Sequence, residues 1–429
     1  MSELSYLEKL LDGVEVKWLP LGNVAEIYGG LTGKSKSDFE NGNARYVSYK
    51  KIFGYLDVND YPTDYVYISE GERQNKVRYG DVLFTGSSEI ADEAGMSSAV
   101  TVHFDESVYL NSFSFGIRFS NSIKIKPEFA KYLFRTHFMR SEIAKTASGV
   151  TRFNISKSRF KKILVPIICP NDPEKSLAIQ SEIVRILDKF TALTAELTAE
   201  LNMRKKQYNY YRDQLLSFKE GEVEWKTLGD VTKKWYSGGT PTAGKIEYYE
   251  NGNIPWLRTQ EVKFSEIDST EIKITQAALK NSSAKWIPRN CVIIAISGAT
   301  AGRSAINKIP LTTNQHCGCL EIDDTKALYR YVFHWVSFNY ENIKSLGQGA
   351  RGDLNSTIIK NFKLPIPYAS DPQKSLKEQA RIVEILDKFD TLTNSITEGL
   401  PREIELRQKQ YEYYRDLLFS FPKPDTVSN

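Results

Sequence analysis

The sequence of 429 residues contains an internal repeat, and this repeat limits the possible fold more than any other feature. Three segments recur almost unchanged: 172–177 (DPEKSL) as 371–376 (DPQKSL), 183–190 (IVRILDKF) as 382–389 (IVEILDKF), and 207–213 (QYNYYRD) as 410–416 (QYEYYRD). The offsets are 199 residues for the first two pairs and 203 for the third. The sequence therefore predicts two tandem units, each with a divergent part followed by a near-copied part.

The divergent parts match more faintly, but in the same order. Residues 40–43 (ENGN) recur as 250–253, and 80–84 (GDVLF) align with 290–294 (NCVII). We therefore predict two divergent domains, separated and followed by near-copied segments. The predicted boundaries are an N-terminal segment at 1–13, domains at 14–167 and 223–367, and helical regions at 168–222 and 368–429.

The near-copied parts are predicted to be long helices, because their apolar and aromatic residues are spaced by three and four. The first series is Ile183, Ile186, Phe190, Leu193, Leu197, Leu201, Arg204, Tyr208, Tyr211, Leu215 and Phe218. The second is Ile382, Ile385, Phe389, Leu392, Ile396, Leu400, Arg407, Tyr411, Tyr414, Leu418 and Phe421. This coiled-coil period favours pairing of the two helices with each other, whereas packing of each helix on its own domain is the alternative. Gly399 and Pro401 are expected to break or kink the second helix.

The divergent parts mix strand and helix patterns, so the predicted fold class is α+β, with two globular α/β domains joined by long antiparallel coiled-coil helices. The predicted strands are 82–85, 100–104, 292–296 and 317–322, and the predicted helical patches are 127–137 and 327–338.

The charge is unevenly distributed, although 57 Lys and Arg against 53 Asp and Glu give a net of only +4. Residues 118–162 contain twelve Lys and Arg but only two Glu, a local charge of +10. Residues 326–363 are a weaker counterpart, with six basic and two acidic residues. A solvated charged face is the plain alternative, but the repetition favours a surface that faces nucleic-acid phosphates. Loops at 29–36 and 238–245 are predicted to carry side chains that reach base edges.

The motifs that suggest chemistry are incomplete. Residues 239–246 (GTPTAGKI) follow the phosphate-loop spacing, but Ile246 stands where a magnesium-binding Ser or Thr is needed. Residues 316–319 (HCGC) have a C-x-C spacing rather than that of usual zinc sites, and the aligned residues 113–116 (FSFG) contain no metal ligand. A buried strand is therefore the better prediction. We predict no catalytic residue and no metal site. Four cysteines, an N-terminus without a signal-peptide pattern and the lack of an apolar stretch of ~18 residues predict a cytoplasmic protein.

Two variable segments alternating with near-identical helices that end in QYxYYRD resemble the specificity (S) subunits of type I restriction–modification systems. The resemblance covers essentially the whole chain and is closest to the type IC branch. Its most specific parts are the start (MSELSYLEKLLDGVEV) and the blocks at 176–218 and 386–421. In the variable parts, residues 237–241 (SGGTP) and 254–256 (IPW) also resemble a target-recognition domain.

The resemblance implies a non-enzymatic DNA-binding subunit in which each variable domain reads one half of a split site on double-stranded DNA. It implies a pseudo-twofold tandem repeat in which the paired helices hold the two domains apart. It also implies two modification (methyltransferase) subunits and further restriction/translocase subunits as partners. S-adenosylmethionine, ATP and Mg²⁺ would belong to those partners, and this chain would hold none of them.

Two sets of candidate site residues follow. The DNA-binding candidates are Lys34, Lys36, Lys50, Lys51, Arg152, Lys157, Arg159, Thr240, Lys245, Arg258, Gln260 and Arg351. The candidates for helix pairing or subunit docking are Phe190, Leu197, Leu201, Tyr208, Tyr211, Phe389, Ile396, Tyr411 and Tyr414.

The first helix also contains a doubled four-residue unit, TAEL at 194–197 and again at 198–201. We hypothesise that the number of copies sets the gap between the two half-sites. The sequence is also compatible with two alternatives: a specificity subunit of a modification-only or type II-like system, and a coiled-coil scaffold that does not bind DNA.

Overall fold

The computed structural model describes residues 6–219, 221–349, 352–395 and 397–423. Two of the candidates, Arg351 and Ile396, lie outside the described residues. The chain divides into two compact units. The first consists of Met1–Leu197 with Glu403–Asn429, and the second consists of Thr198–Arg402. Each unit therefore combines one divergent domain with segments of the near-copied helices.

The elements up to the first long helix are α1 (Tyr6–Leu11), β1 (Val16–Pro20), α2 (Leu21–Val24), β2 (Ala25–Gly29), β3 (Ala44–Val47), α3 (Tyr49–Gly54), β4 (Asp57–Val58), β5 (Asp64–Val66), β6 (Lys76–Val77), β7 (Val82–Thr85), β8 (Ser87–Ser88), β9 (Ser97–Val100), β10 (Val108–Leu110), β11 (Ser114–Phe119), α4 (Pro127–Leu133), α5 (His137–Ala144), β12 (Ala147–Ser148), β13 (Phe153–Ile155), α6 (Lys157–Phe160), β14 (Leu164–Ile168) and α7 (Pro173–Leu215). Short 3-10 turns lie at Lys36–Phe39 and Ala91–Glu93.

The remaining elements are β15 (Val223–Thr227), β16 (Thr232–Ser237), β17 (Ile254–Leu257), β18 (Glu266–Ile267), β19 (Ile272–Ile274), α8 (Gln276–Lys280), β20 (Val292–Ala295), β21 (Ser304–Asn307), β22 (Thr312–Thr313), β23 (Cys317–Ile322), α9 (Tyr329–Phe338), α10 (Tyr340–Ser345), α11 (Ser356–Asn361), β24 (Lys363–Pro367), α12 (Pro372–Asn394) and α13 (Gly399–Leu418). Short 3-10 turns lie at Ile246–Tyr248, Thr259–Glu261 and Gly298–Thr300.

The same five-stranded sheet occurs once in each unit. Its order is β2-β11-β7-β9-β4 in the first unit and β16-β23-β20-β21-β18 in the second. A two-stranded antiparallel sheet also recurs, as β1-β14 and β15-β24. The central strands β7 (VLFT) and β20 (VIIA) are completely buried, as expected for apolar runs with neighbours on both sides. The internal repeat in the sequence is thus a repeat of one α+β domain.

The strand registers agree with the alignment of the two copies. Ser114 pairs with Thr85 in the first sheet, and Cys317 pairs with Ala295 in the second. The segment 113–116 is therefore equivalent to 316–319, as the sequence alignment predicts. The first four residues of β23 are buried, which confirms the prediction that the HCGC segment enters a buried strand.

The long helices pair within each unit. In the first unit, the Phe190 ring on α7 stacks on Tyr414 of α13, with 5.4 Å between ring centres. In the second unit, Tyr208 and Tyr211 on α7 both stack on Phe389 of α12, at 6.1 and 5.5 Å. α7 thus contacts α13 in the first unit and α12 in the second. The predicted pairing is confirmed.

The long helices also pack on the domain cores, in addition to pairing with each other. Ile179, Ile183 and Leu187 of α7 belong to the hydrophobic core of the first domain. Ile382 and Leu386 of α12 belong to the core of the second domain. The expectation that one seam serves helix pairing throughout is therefore wrong for the N-terminal turns of these helices, up to Leu187 and Leu386, which pack on their own domains.

Several predicted boundaries differ from the structure. Of the strand predicted at 100–104, only Val100 lies in a strand, because β9 is Ser97–Val100. The helical patch predicted at 127–137 forms α4 (Pro127–Leu133), and α5 begins at His137. α7 also ends before Phe218, because Leu215 is its last residue. These differences occur where charged or polar residues interrupt the apolar pattern.

The break in the second long helix lies just before Gly399 rather than at Pro401. α12 ends at Asn394 and α13 begins at Gly399, so Pro401 lies in the first turn of α13. Proline is tolerated there because N–H groups of the first turn have no partner within the helix. Gly399 adopts a φ of +79°, and a Cβ at that position would lie 2.3 Å from the Thr391 carbonyl oxygen. The chain turn thus depends on glycine.

Candidate nucleic-acid interface

In the first unit, several loops meet at one end of the five-stranded sheet. The chain leaves β2 at Gly29 and β7 at Thr85, and it enters β11 at Ser114. Because Gly29 pairs with Phe115 and Thr85 pairs with Ser114, these strand ends lie side by side. Loops that are held on a rigid sheet can present side chains to a ligand in fixed positions.

Asn111 shapes the loop before β11. Its side-chain amide donates to the Val47 carbonyl (3.1 Å), and its Oδ1 accepts from the backbone N–H of Phe113 (3.0 Å). An Asn side chain bonded to the backbone two residues later stabilises a tight turn. The turn leaves the Phe113 side chain 66% exposed. An exposed ring in a fixed position is suited to stacking on a base or packing in a groove.

Arg152 lies beside Phe113, on the hairpin between β12 and β13. Its Nε donates to Ser87 Oγ (3.1 Å), and its guanidinium carbon is 5.8 Å from the centre of the Phe113 ring. The hairpin is anchored because β13 pairs with β8, with Asn154 opposite Ser87. Arginine is the side chain that most often reads guanine in the major groove, so this position could specify a base.

Further cations surround this end of the sheet. Tyr49 at the start of α3 donates to the Ser87 carbonyl (2.9 Å), which brings α3 close to the hairpin. Lys157 at the start of α6 places its Nζ 5.8 Å from the centre of the Phe115 ring. The solvent-accessible cations on α3, on α6 and on the 3-10 turn that follows the β2 loop are Lys36, Lys50, Lys51, Lys157 and Arg159.

The second unit repeats the turn at the matching strand end. Asn314 Oδ1 accepts from the backbone N–H of His316 (3.0 Å), as Asn111 does for Phe113. His316 therefore occupies the place of Phe113. Its Nδ1 is 2.7 Å from Ser297 Oγ, and Ser297 follows β20 as Ser87 follows β7.

Polar side chains take the place of the aromatic and cationic groups in this second cluster. Thr240 Oγ1 donates to Gln315 Oε1 (2.6 Å), and the Gln315 amide lies 3.2 Å from His316 Nε2. Thr240, Gln315, His316 and Ser297 thus form a connected row of hydrogen-bonding groups. Groups of these types can contact base edges or phosphate oxygens.

Both clusters need a glycine where a loop crosses the neighbouring chain. A Cβ on Gly30 would lie 1.9 Å from the Asn111 carbonyl oxygen, and a Cβ on Gly238 would lie 1.8 Å from the Thr313 carbonyl oxygen. Any other residue would push the loop away from the sheet end.

Lys34 is placed differently from the other candidates. Its Nζ forms an ion pair with Glu72 (2.6 Å), and its side chain is only 5% exposed. The hydrogen bond from Lys34 is the largest of the causes that lower the pKa of Glu72 to about 2. The charge of Lys34 therefore holds two loops together and is largely neutralised before any ligand arrives.

Two candidates of the second unit also have acidic partners. Lys245 Nζ lies 3.3 Å from Glu247 Oε1, and Arg258 contacts Glu271 through its guanidinium (2.5 Å). Gln260 is exposed in the 3-10 turn after Arg258. These residues lie along one loop region, but the described hydrogen bonds join only Thr240 to the polar row.

The basic segment 118–162 is not one continuous phosphate-facing surface, and that interpretation is wrong for part of it. Arg118 forms a 2.7 Å ion pair with the fully buried Asp81. Arg135 donates to backbone carbonyls that include Ser97 (2.6 Å), and Arg140 donates to backbone carbonyls that include Ala94 (2.7 Å). Burial lowers the pKa of Arg135 and Arg140 to about 10. These arginines stabilise loops, and the exposed Lys145 pairs with Glu142 on α5. The remaining solvent-facing charge is concentrated between residues 152 and 162.

Sequence reasoning missed several members of the clusters, namely Ser87, Phe113, Ser297, Gln315 and His316. The available signal was the aligned pair of asparagines, Asn111 and Asn314, each three residues before the start of a predicted or aligned strand. An Asn at a matched turn in two divergent copies predicts a conserved turn geometry with variable neighbours.

The described residues give little support for a metal site, a reactive thiol or a membrane-spanning helix. In the part of the chain that the structure describes, no group of three or more His, Cys, Asp or Glu side chains is placed to hold a metal ion. Burial raises the pKa of the Cys291 and Cys317 thiols to about 12, so both are protonated at neutral pH. None of the helices in the described ranges has the length and apolar character needed to cross a membrane.

Comparison with known proteins decides the family. The profile of the type I restriction modification DNA specificity domain matches residues 13–204 and again 220–406. The chain belongs to this family. The two matches follow the two copies of the repeat, and the resemblance noted from the sequence is confirmed.

The chain is similar to full-length members of the specificity-subunit family. It is 47% identical to the EcoR124I/EcoR124II specificity subunit of Escherichia coli, with 100% of both chains covered. It is 35% identical to the EcoprrI specificity subunit of Escherichia coli over 93% of each chain. These are DNA-specificity subunits, in agreement with the prediction of a non-catalytic recognition role.

Solved structures support the fold. An S subunit from M. genitalium superposes with a TM-score of 0.54 at 14% identity, covering 96% of this chain and 98% of that one. The HsdS subunit from Thermoanaerobacter tengcongensis gives a TM-score of 0.50 at 15% identity, with 94% and 96% covered. The predicted architecture of two α+β domains with long helices is therefore confirmed.

Proposed function

We propose that this chain is the DNA-specificity subunit of a type I restriction–modification complex, in which each domain reads one half of a bipartite site. The helices set the gap between the half-sites and dock the modification subunits. Membership of the DNA-specificity family and 47% identity to a specificity subunit along the whole chain support this role.

The observation that carries the proposal is the pair of matched loop clusters at equivalent sheet ends. The backbone turn is the same, because Asn111 and Asn314 make the same hydrogen bond. The exposed side chain is different, since Phe113 in one copy is replaced by His316 in the other. A conserved scaffold with changed side chains is what two domains need in order to read two different half-sites.

The residues that contact DNA differ in character between the two domains. The first cluster combines Arg152 and Phe113 with the lysines of α3 and α6. The second uses Thr240, Gln315, His316 and Ser297, which have smaller charge and more hydrogen-bonding atoms. We expect the first half-site to depend more strongly on cationic contacts and the second on polar contacts.

The repeated tyrosines on the helices are the proposed docking sites for two modification subunits. Tyr210 and Tyr413 occupy equivalent positions in the two copies and are 62% and 64% exposed. Each touches a neighbouring tyrosine edge-on, Tyr211 and Tyr414 respectively, which in turn stacks on a phenylalanine of the paired helix. Exposed aromatic rings held by stacked neighbours are typical anchors of protein interfaces.

In this proposal the chain positions the methyltransferase on DNA and does not itself catalyse a reaction. S-adenosylmethionine would be held by the modification subunits, and ATP with Mg²⁺ by the restriction subunits. The contribution of this chain is to hold the methyltransferase at a defined base within or beside each half-site, where proximity and orientation promote transfer.

Single-molecule methylation mapping tests the proposal. A host that lacks other methyltransferases is supplied with this chain and its modification partner, and its genome is sequenced for modified adenines. We expect one bipartite motif with two different half-sites and a fixed gap. A matched strain that lacks only this chain is the control. Methylation at a continuous site, or the same motif without this chain, would contradict the proposal.

A further inference from the structure

In each unit, one basic side chain joins an acid at the sheet edge to an acid on a long helix. In the first unit, Lys131 of α4 places its Nζ 3.3 Å from Asp57 Oδ2 and 3.1 Å from Asp188 Oδ1. Asp57 opens the edge strand β4, and Asp188 lies on α7. The Lys131 side chain is only 12% exposed, so this cation is held within the structure.

The second unit contains the same connection. Arg330 of α9 donates to Asp387 through Nε (2.6 Å) and through its terminal nitrogen (2.8 Å), and it also pairs with Glu266. Glu266 opens the edge strand β18, and Asp387 lies on α12. The guanidinium therefore connects the edge of the second sheet to the helix on which that domain packs.

The acids occupy equivalent positions in the two copies. Asp188 and Asp387 lie six residues into the repeated segments 183–190 and 382–389. Asp57 and Glu266 are each the first residue of a two-residue edge strand that runs parallel to its neighbour. The acid on the helix also receives a second hydrogen bond from equivalent positions of α4 and α9, 2.6 Å from the Tyr132 hydroxyl and 2.7 Å from His334 Nε2.

The cations, however, come from different turns of the equivalent helices. The residue before α4, Lys126, donates its N–H to Gln180 (2.8 Å), and the residue before α9, Leu328, donates to Gln379 (2.9 Å), which fixes the alignment of the helices. Lys131 is five residues beyond Lys126, whereas Arg330 is two beyond Leu328. The two copies thus reach the same ionic bridge by different substitutions, which favours a functional requirement for the bridge itself.

The bridge fastens the part of each domain that carries DNA-contact candidates. β4 follows α3, which carries Lys50 and Lys51, and β18 follows the 3-10 turn beside Arg258. We propose that Lys131 and Arg330 are positioning residues that fix the angle of each recognition domain on its own helix and so restrict the gap between half-sites that the protein accepts. This inference rests on the proposed function, since a gap has meaning only if both domains read DNA.

The test measures gap discrimination rather than affinity alone. The full-length chain in complex with its modification subunits is titrated with duplexes that carry both half-sites at the mapped gap and at gaps one base pair shorter and longer. Lys131→Met and Arg330→Met are each expected to reduce the preference for the mapped gap by about fivefold, as the loss of a partly buried ion pair permits. Lys131→Arg, which keeps the charge, is expected to retain most of the preference.

Matched controls separate positioning from general stability. Lys145→Met removes an exposed cation that pairs with Glu142 (2.6 Å) on α5, and it should leave the gap preference unchanged. If Lys131→Met does not fold, Asp57→Asn removes the same ionic contact while keeping the volume of the side chain. Folded variants of Lys131 or Asp57 with a wild-type gap preference would overturn the inference. A wild-type complex without preference for either half-site would instead overturn the proposed function.

Discussion

At the scale of single residues, the contact between Arg152 and Phe113 distinguishes the first cluster from the second. The guanidinium is oriented by Ser87 Oγ and lies over the face of an exposed ring, so less side-chain freedom is lost when it meets a base. In the second cluster the row from Thr240 to Ser297 is likewise connected by hydrogen bonds before DNA arrives. Preorganised groups lose less conformational entropy on binding.

Replacing Arg152 by Ala should therefore weaken binding to the mapped site. If the guanidinium reads a base, the loss is about 1–3 kcal/mol and is confined to duplexes with the correct first half-site. Fluorescence anisotropy at a fixed salt concentration measures it, with Lys145→Ala as the control. An equal loss for unrelated sequences, with a reduced salt dependence, would instead indicate a phosphate contact.

The buried thiols allow a second residue-scale prediction. The pKa of Cys291 and Cys317 is raised to about 12, and burial raises that of Cys319 well above its ordinary value. Because the thiolate is the reactive form, these cysteines stay unreactive at pH 8. We expect iodoacetamide to label the half-buried Cys169 of the native chain and to label the other three only after unfolding, as read by mass spectrometry.

This labelling experiment also tests the HCGC segment. A metal or redox site needs accessible, deprotonatable sulfurs, whereas strand burial protects them. Rapid modification of Cys317 or Cys319 in the folded chain would contradict the buried-strand assignment.

At the scale of elements, the length of α7 is the feature that connects structure to the recognised gap. The doubled unit at 194–197 and 198–201 lies within this helix, and the division between the two compact units falls between the copies, at Leu197 and Thr198. A third copy adds four residues, or about 6 Å of helix. Because base pairs are stacked about 3.4 Å apart along DNA, this added length of helix corresponds to one or two base pairs.

We therefore expect a three-copy variant to methylate sites whose gap is longer by one or two base pairs, with both half-sites unchanged. Methylation mapping of strains that carry either form measures this directly. Glu196→Ala is the length-preserving control and should keep the original gap. An unaltered gap in the three-copy variant would exclude the helix as the element that sets it.

The tyrosine pairs lead to a prediction about assembly. Tyr210→Ala and Tyr413→Ala should each remove one proposed anchor, while the inner tyrosines still stack on Phe389 and Phe190. Native mass spectrometry is expected to show complexes with one modification subunit for each single variant and none for the double variant. Lys206→Ala, on the exposed face of the same helix, is the control. Full occupancy in the double variant would place the docking surface elsewhere.

The elements that the sequence predicts well are those with an unambiguous repeat or an unbroken apolar run. β7 and β23 begin and end as predicted, because both are buried runs next to turn residues. The prediction fails where contacts distant in sequence decide the outcome. The basic segment 118–162 predicts a DNA-facing position for Arg135, for example, but its side chain donates to backbone carbonyls of β9 and α3.

The candidate site shows the same limit. Arg152 and Thr240 could be proposed from residue type and loop position, since Arg and Thr are common DNA contacts. Phe113, Gln315 and His316 could not be proposed in this way, because their exposure depends on the turns made by Asn111 and Asn314. Each asparagine stands two residues before Phe113 or His316, and Gln315 directly follows Asn314. The sequence alignment predicts that these positions are equivalent in the two copies, and the strand register agrees with it, but the residue types do not indicate the exposure.

At the scale of the whole molecule, the small net charge has a consequence for binding. With 57 basic and 53 acidic residues, the chain has no large uniform attraction for DNA, and several arginines are already bound within the structure. Each domain alone should therefore bind its half-site only moderately. Strong binding then requires both domains to engage one duplex, since the second contact is made at a high effective concentration.

A duplex in which one half-site is scrambled should consequently bind at least ~100-fold more weakly than the bipartite site, because the advantage of linked binding is lost. Titration of the assembled complex with the two duplexes at the same ionic strength measures the ratio, and a duplex with both half-sites scrambled gives the non-specific level. Scrambling the first half-site should also reduce the salt dependence more than scrambling the second, because the first cluster carries more free cations. If a single half-site were bound as tightly as the bipartite site, the second domain would contribute nothing to recognition, and its matched loop cluster would need another explanation.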